Sequence, residues 1–152
     1  MLTQVPLIWR PAPAAGIAAC AVAEPVGHVD IAATILAAAG VAVPDWMQGA
    51  EFPVASGSGR ERVYTEWIDS YDGNDIVMRS MVRDGYLVTA YEPTNRYAGT
   101  EGELYSLDDD PHQWRNLWDE PGFAAIRKEL VSDLRTHLPE GRSEPLAKVA
   151  PV

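Results

Sequence analysis

Residues Glu103 to Pro121 read ELYSLDDDPHQWRNLWDEP, and this stretch organises the rest of the chain. Leu104, Tyr105 and Leu107 make a short strand. Asp108-Asp109-Asp110 before Pro111 makes an acidic turn, because aspartates bond nearby backbone amides and tolerate tight dihedral angles. The loop then reaches Asp119 and Pro121, a capping acid followed by a helix-starting proline. Beyond it, Phe123, Ile126, Leu130, Leu134 and Leu138 recur at three- and four-residue steps, which predicts a helix with one apolar stripe. Pro139 ends that helix, and residues 140–152 read as a frayed tail.

Working upstream, Ile76–Arg83 and Tyr86–Tyr91 flank Asp84-Gly85, a strong two-residue hairpin signal. Such a turn pairs Val82 with Leu87, Ser80 with Thr89 and Met78 with Tyr91 on one face. Arg83 with Tyr86 and Arg79 with Ala90 fall on the other. One face is mostly apolar and the other carries both arginines, which suits a sheet covered on one side. Val63–Ile68 supplies another strand, followed by a polar loop. Ala55–Gly59 (ASGSG) has the most flexible composition in the chain and marks a subdomain boundary.

Before that boundary, Val5–Trp9 is a continuous apolar run, the pattern of a strand buried on both faces. A second, weaker strand is expected near Ala21–Val26. Asp30 opens a helix whose spacing favours Ile31, Ile35 and Leu36 packing inward, with Gly40 just past its end. Val41–Phe52 has no period and reads as a loop. Ile17-Ala18-Ala19-Cys20 has the look of a lipoprotein cleavage box, but a signal peptide wants positive charge first and an unbroken apolar run second. Here Val5–Trp9 precedes Arg10, and Pro11 and Pro13 break up the stretch before the box. Cys20 therefore reads better as a small apolar residue entering a buried strand.

Several segments, taken in order, resemble the sulfatase family. Glu103–Trp118 is similar to its C-terminal signature, a strand "ELYDL" running into "DPxExxNL". Val5–Arg10 resembles the strand "RVPLIVR", and Glu24–Leu36 the helix entry "VSxVDLAPTLL". Val43-Pro44 with Met47-Gln48-Gly49 resembles "VPxxMQG", and Met81–Leu87 resembles the hairpin "RMVRTGRYKLI". Ala33 stands where the family helix has proline, and the hairpin lysine is absent near Leu87 and Val88. The resemblance implies an α/β to α+β architecture: residues 1–54 as the tail end of a large α/β domain, 55–59 as a flexible boundary, and 60–139 as a small antiparallel sheet of about four strands with a C-terminal helix.

It also implies chemistry that this sequence does not carry. In the family, a cysteine or serine in "CxPSR" becomes formylglycine, and carboxylates hold calcium against the sulfate. A dianionic group needs fixed positive charge and a metal. Cys20 is followed by Ala-Val-Ala, and both lysines, Lys128 and Lys148, lie in the last helix and tail. The expectation is a C-terminal portion of a sulfatase-type enzyme with no catalytic or metal-ligand residues of its own. Its expected partners are an upstream catalytic domain and, for the parent enzyme, a sulfated small molecule or glycan. A related phosphoester or phosphonate hydrolase, or a stand-alone binding module, are the alternatives.

The remaining candidates are weaker. Asp69, Asp72, Asn74 and Asp75 supply oxygens suited to calcium, but their spacing is not that of an EF-hand and a solvated loop is the plainer reading. His28, His112 and His137 are scattered, with no nucleophile nearby. Trp67 and Tyr71, at a strand end and the adjoining loop, are the candidates for the edge of a substrate cleft. A net charge of −10 argues against nucleic acid, and no apolar run approaches the ~20 residues that span a bilayer. One cysteine leaves redox compartment and export route open.

Overall fold

Two Asp-Gly dipeptides set the topology. Asp72-Gly73 (φ 51° and 74°) and Asp84-Gly85 (φ 50° and 74°) all occupy the left-handed region. Two consecutive positive φ values define the hairpin turn whose twist matches its strands. The computed structural model describes residues 5–55 and 57–138. It holds a four-stranded antiparallel sheet, β1 (Arg62–Tyr71), β2 (Asn74–Arg83), β3 (Tyr86–Tyr91) and β4 (Gly102–Ser106), in that spatial order. Helix α1 (Val29–Ala38) precedes the sheet and α2 (Ala124–His137) follows it.

The register at the second turn is the expected one: Val82 opposite Leu87, Ser80 opposite Thr89, Met78 opposite Tyr91 and Arg83 opposite Tyr86. The first turn was missed. Asp69–Asp75, read as a polar loop, is strand on both sides of a two-residue turn, with Tyr71 opposite Asn74. The sequence carries the same Asp-Gly signal there as at the second turn.

Helix α2 covers the arginine-bearing face, which corrects the expectation that the other face would be the covered one. Met81, Val88, Ala90 and Leu104 meet Leu130 and Leu134 in the core, with Phe123, Ile126 and Leu138 packed against it. The predicted stripe is therefore the buried one. Leu130 and Leu134 are fully buried, and each contributes about 2 kcal/mol. The arginines fit this face because α2 brings carboxylates to them. Asp133 accepts from Arg83 at 2.7 Å and Arg62 at 3.3 Å, and Glu129 accepts from Arg83 at 3.1 Å. The opposite face also has buried residues, Leu87, Ser80 and Thr89, where the two hydroxyls share a hydrogen bond of 2.9 Å.

Asp119 does not cap α2. The chain enters through a single turn of 3-10 helix at Pro121–Phe123, and neither that turn nor α2 has a side-chain cap. The stop at Pro139 and the tail 140–152 lie outside the described residues.

The first half departs most from expectation. Val5–Trp9 and Ala21–Val26 form no strand. Val5, Leu7, Ile8 and Trp9 are exposed, Ile8 by 92%. The physical reason is that a strand needs ladder partners, and β1 to β4 pair only with one another. Cys20 is exposed too, its thiol 3.4 Å from the Val54 carbonyl oxygen, rather than entering a buried strand.

Helix α1 forms where expected but turns the other way. Asp30, Ala33 and Thr34 are buried, whereas Ile31 and Ile35 are exposed by 38% and 56%. Polar anchoring decides this. The Asp30 carboxylate accepts from the amides of Gly27 and Ala50, each at 2.8 Å, and from the Arg60 guanidinium. Thr34 Oγ1 donates to the Asp30 carbonyl at 2.7 Å and accepts from the Phe52 amide at 2.9 Å. A buried carboxylate is costly unless it is paired and hydrogen-bonded. The face carrying Asp30 must therefore be the one that meets the Val41–Phe52 loop. Gly49 lies so close to α1 that a Cβ there would sit 2.0 Å from the Val29 carbonyl oxygen, which explains the glycine of the Met47-Gln48-Gly49 motif.

Candidate functional site

The stretch Glu103–Pro121 builds a clasp over the outer edge of the sheet. A two-residue turn makes Arg83 and Tyr86 a hydrogen-bonded pair, and the bonding alternates from there across the sheet. The residues of β4 that point outward are then Gly102, Leu104 and Ser106. Each finds a partner. Asn116 Oδ1 accepts from the Leu104 amide at 3.0 Å, and Asn116 Nδ2 donates to the Gly102 carbonyl at 3.2 Å. The Leu117 amide donates to the Leu104 carbonyl at 2.8 Å, and the Asp110 amide to the Ser106 carbonyl at 2.8 Å. The Asn-Leu pair of the signature thus has a structural role: it closes an edge strand.

The acidic turn holds the loop in shape. Asp110 Oδ2 accepts from the Arg115 amide at 2.8 Å. That bond, with help from the amides of Trp114 and Gln113, holds the Asp110 carboxyl below the usual range for aspartate. Asp109 accepts from Ser106 Oγ at 2.9 Å. These bonds are the turn chemistry expected for the aspartate run. Trp118 packs at the core's edge, donates from Nε1 to the Thr100 carbonyl at 3.1 Å, and lies under the Arg127 guanidinium. Arg127 also donates to the Trp118 carbonyl.

The histidines are not brought together. His28 is at the exposed entry to α1, and His112 stacks on the exposed Trp114 with ring centroids 5.0 Å apart. His137 Nδ1 lies 2.6 Å from Asp133, beside the arginine cluster that ties α2 to the sheet. None of the three is placed beside a nucleophile. Sequence reasoning missed the Arg62–Arg83–Asp133–His137 cluster; the i, i+4 spacing of Asp133 and His137 was its one local signal.

Trp67 is 50% exposed. It stands where β1 and β2 run on as a two-stranded ribbon beyond Met78, the last residue of β2 paired with β3. Tyr71 ends β1 opposite Asn74. The ribbon's tip is latched from the side: Asn95 Oδ1 accepts from the Asp75 amide at 2.9 Å, and Asn95 Nδ2 donates to the Gly73 carbonyl at 2.7 Å. Asp69, Asp72 and Asp75 are exposed along this ribbon. Among the described residues no group of three or more His, Cys, Asp or Glu side chains is placed to hold a metal ion. Asp69, Asp72 and Asp75 are thus not gathered into such a group, and Cys20 is followed by Ala-Val-Ala rather than by the proline and arginine of a formylglycine motif.

Among the described residues, no helix is long and apolar enough to cross a membrane. The clefts are shallow: one groove along the outer side of α2, lined by Lys128, Glu129 and Ser132, and one between Val29, Trp46 and Gly49. The first groove is also lined by Asp133 and Thr136, but Asp133 is held by Arg83 and Thr136 Oγ1 donates to the Ser132 carbonyl at 2.7 Å.

Comparison with known proteins agrees with this geometry. The sequence profile of N-sulphoglucosamine sulphohydrolase, C-terminal, matches residues 3–139. No curated protein matches the chain significantly. Among solved structures, a 2-O GAG sulfatase is similar at 26% identity and a TM-score of 0.60, over 70% of this chain and 23% of that one. A protein solved with its substrate D-glucosamine-2-N,6-O-disulfate is similar at 23% identity and a TM-score of 0.58, over 70% and 22% of the two chains. The phosphonate monoester hydrolase of Agrobacterium radiobacter shares the fold at 18% identity and a TM-score of 0.50, over 70% and 23%. The chain thus spans less than a quarter of the length of these structures. With the profile running from the exposed N-terminal segment through the clasp to the end of α2, the chain belongs to the family of N-sulphoglucosamine sulphohydrolase C-terminal domains.

Proposed function

We propose that this chain is the C-terminal part of a sulfatase-type enzyme that hydrolyses sulfuric esters, and that it packs against an upstream catalytic domain. That domain would supply the formylglycine nucleophile and the calcium ligands. The observation that carries the reading is the family match over residues 3–139. It is supported by the apolar surface of the first half, where Ile8, Trp9, Ile31, Ile35 and Trp46 stand exposed. Several exposed apolar side chains on one half of the chain suit a surface that packs against a partner. The substrate class that fits is a sulfated amino sugar, as in the substrate complex of one structural relative. In this reading the sheet and α2 form a rigid wall beside the catalytic domain, and the chain alone is inactive.

The test is to express the chain alone and joined to the coding sequence upstream of Met1. The longer protein should hydrolyse an aryl sulfate, bind less of an apolar dye and melt at a higher temperature than the short one. Turnover by the 152-residue chain alone, abolished by a chelator, would overturn the proposal. So would an upstream region with no sulfatase-like sequence. A phosphonate ester serves as the competing substrate, since a phosphonate hydrolase shares this fold.

A further inference from the structure

The glycine and serine content of Ala55–Gly59 has the composition of a flexible link between the two halves of the chain. Its described residues are packed and bonded instead. The Gly57 amide donates to the Glu24 carboxylate, 33 residues upstream. The Ser58 hydroxyl donates to the Ala55 carbonyl at 2.7 Å. Gly59 lies against the Glu24 side chain: a Cβ built there would sit 2.5 Å from Glu24 Cβ and 3.5 Å from Pro53 Cγ. Gly59 is not in the left-handed region, so close approach rather than backbone freedom requires the glycine. Next to it, Arg60 donates to the Asp30 carboxylate, a residue only 2% exposed. The same carboxylate accepts from the amides of Gly27 and Ala50. One buried side chain thus gathers donors from the entry to α1, from the loop behind it and from the residues leading into β1. Gly27 also faces that strand, with Val63 Cγ1 3.4 Å from where its Cβ would be.

We propose that the Asp30–Arg60 pair is a clamp that shuts the hinge at 55–59, so that α1 with its loop and the four-stranded sheet move as one body. The Asp30 carboxylate is almost out of water, where a charge needs a cationic partner. Without Arg60 it keeps only amide donors, all of them from the first half of the chain. Glu24 closes the same gap from the other side, through its bond to Gly57 and its contact with Gly59. Opening both ties would return the segment to the freedom its composition allows. The consequence is geometric. A partner that docks on the exposed Ile8, Ile31 and Ile35 of the first half meets the sheet at one fixed angle. The clamp is a property of this chain and does not depend on the sulfatase reading.

Gly59→Ala separates a clamp from a loose link by the sign of its effect. In a loose link alanine leaves the melting temperature unchanged or raises it, because it restricts the unfolded chain. Packed on Glu24 it must lower it, since the new Cβ has no room without a backbone shift. Arg60→Gln opens the clamp from the other end. Exchange at the Gly57 amide should then quicken about tenfold or more, the scale of a hydrogen bond to a charged group, while amides in the middle of β3 keep their rates. Arg60→Lys, which retains the charge, should restore most of that protection. In NMR relaxation, the amides of α1 and of β2 should share one rotational correlation time in the unmodified chain and separate in Arg60→Gln. Separate correlation times in the unmodified chain would overturn the proposal, as would a melting temperature in Gly59→Ala that is unchanged or higher. Arg60→Gln releasing the amides within α1 as fast as that of Gly57 would also overturn it, and would make the pair a part of the folding of α1 instead.

Discussion

Arg83 donates to Asp133 Oδ2 at 2.7 Å, joining the end of β2 to the middle of α2. The same carboxylate lies 3.3 Å from Arg62 Nη1 and 2.6 Å from His137 Nδ1. The hydrogen bond to this carboxylate, with the nearby charges of Asp84 and Glu129, holds the Arg83 guanidinium even more firmly protonated than usual, against the opposing effect of burial. Helix and sheet are thus fixed in register by a charge cluster at one end and by leucines along the stripe.

Asp133→Ala leaves two arginines facing an apolar gap. The expected loss is about 2–3 kcal/mol, below the full cost of breaking a buried pair because both arginines keep some access to water. Denaturant unfolding checks it, and Asp133→Asn should recover part of the loss because its amide oxygen still accepts from Arg83. A change below about 0.5 kcal/mol, the usual scatter of surface substitutions, would show that the cluster is ornamental.

Thr34→Val keeps the volume of the side chain and removes its oxygen. The Phe52 amide, 2.9 Å from that oxygen, would then be buried without a partner. Such an orphan costs about 1–3 kcal/mol. Hydrogen exchange at Phe52 should accelerate more than exchange in β3, which localises the loss to the loop beside α1.

Gly85 has a φ of 74°, and a Cβ built there would sit 2.6 Å from an Asp108 carboxylate oxygen. Gly85→Val meets both a backbone penalty and a clash, with an expected cost of about 2–4 kcal/mol. Gly85→Asn should be milder, because asparagine tolerates the left-handed region. An unchanged melting temperature in the valine variant would contradict the observed turn.

The Tyr91 hydroxyl donates to Glu103 at 2.5 Å. Burial first, and then the hydrogen bond to that carboxylate, push its phenol well above the ordinary range for tyrosine. A folded-state value raised above the unfolded one contributes stability that is complete below about pH 10 and is lost as pH rises through the folded value. In an alkaline absorbance titration the last tyrosine to ionise should vanish in Tyr91→Phe. That variant's stability should also fall less steeply above about pH 10.

Local chemistry was legible in the sequence wherever a few adjacent residues decide the outcome. Asp84-Gly85 fixes a hairpin register because a two-residue turn permits only one. The stripe from Phe123 to Leu138 identifies the buried side of α2 because its five large apolar residues share one face. The clasp was visible as a strand followed by an acidic turn, although the role of Asn116 was not, since its three partners come from Gly102, Leu104 and Trp118. Asp72-Gly73 was equally legible and was passed over because the surrounding carboxylates read as a solvated loop.

Tertiary structure alone decided which way α1 faces and which side of the sheet α2 covers. In α1, apolar spacing favoured Ile31 and Ile35, but a buried carboxylate needs donors. Those donors come from Ala50 and Arg60, whose positions no local pattern reveals. On the sheet, the arginines marked one face as wet until Asp133 and Glu129 arrived from a distant helix to neutralise it. Apolar periodicity is a local property, whereas the partner that makes a charge tolerable in the interior is supplied only when the chain has folded.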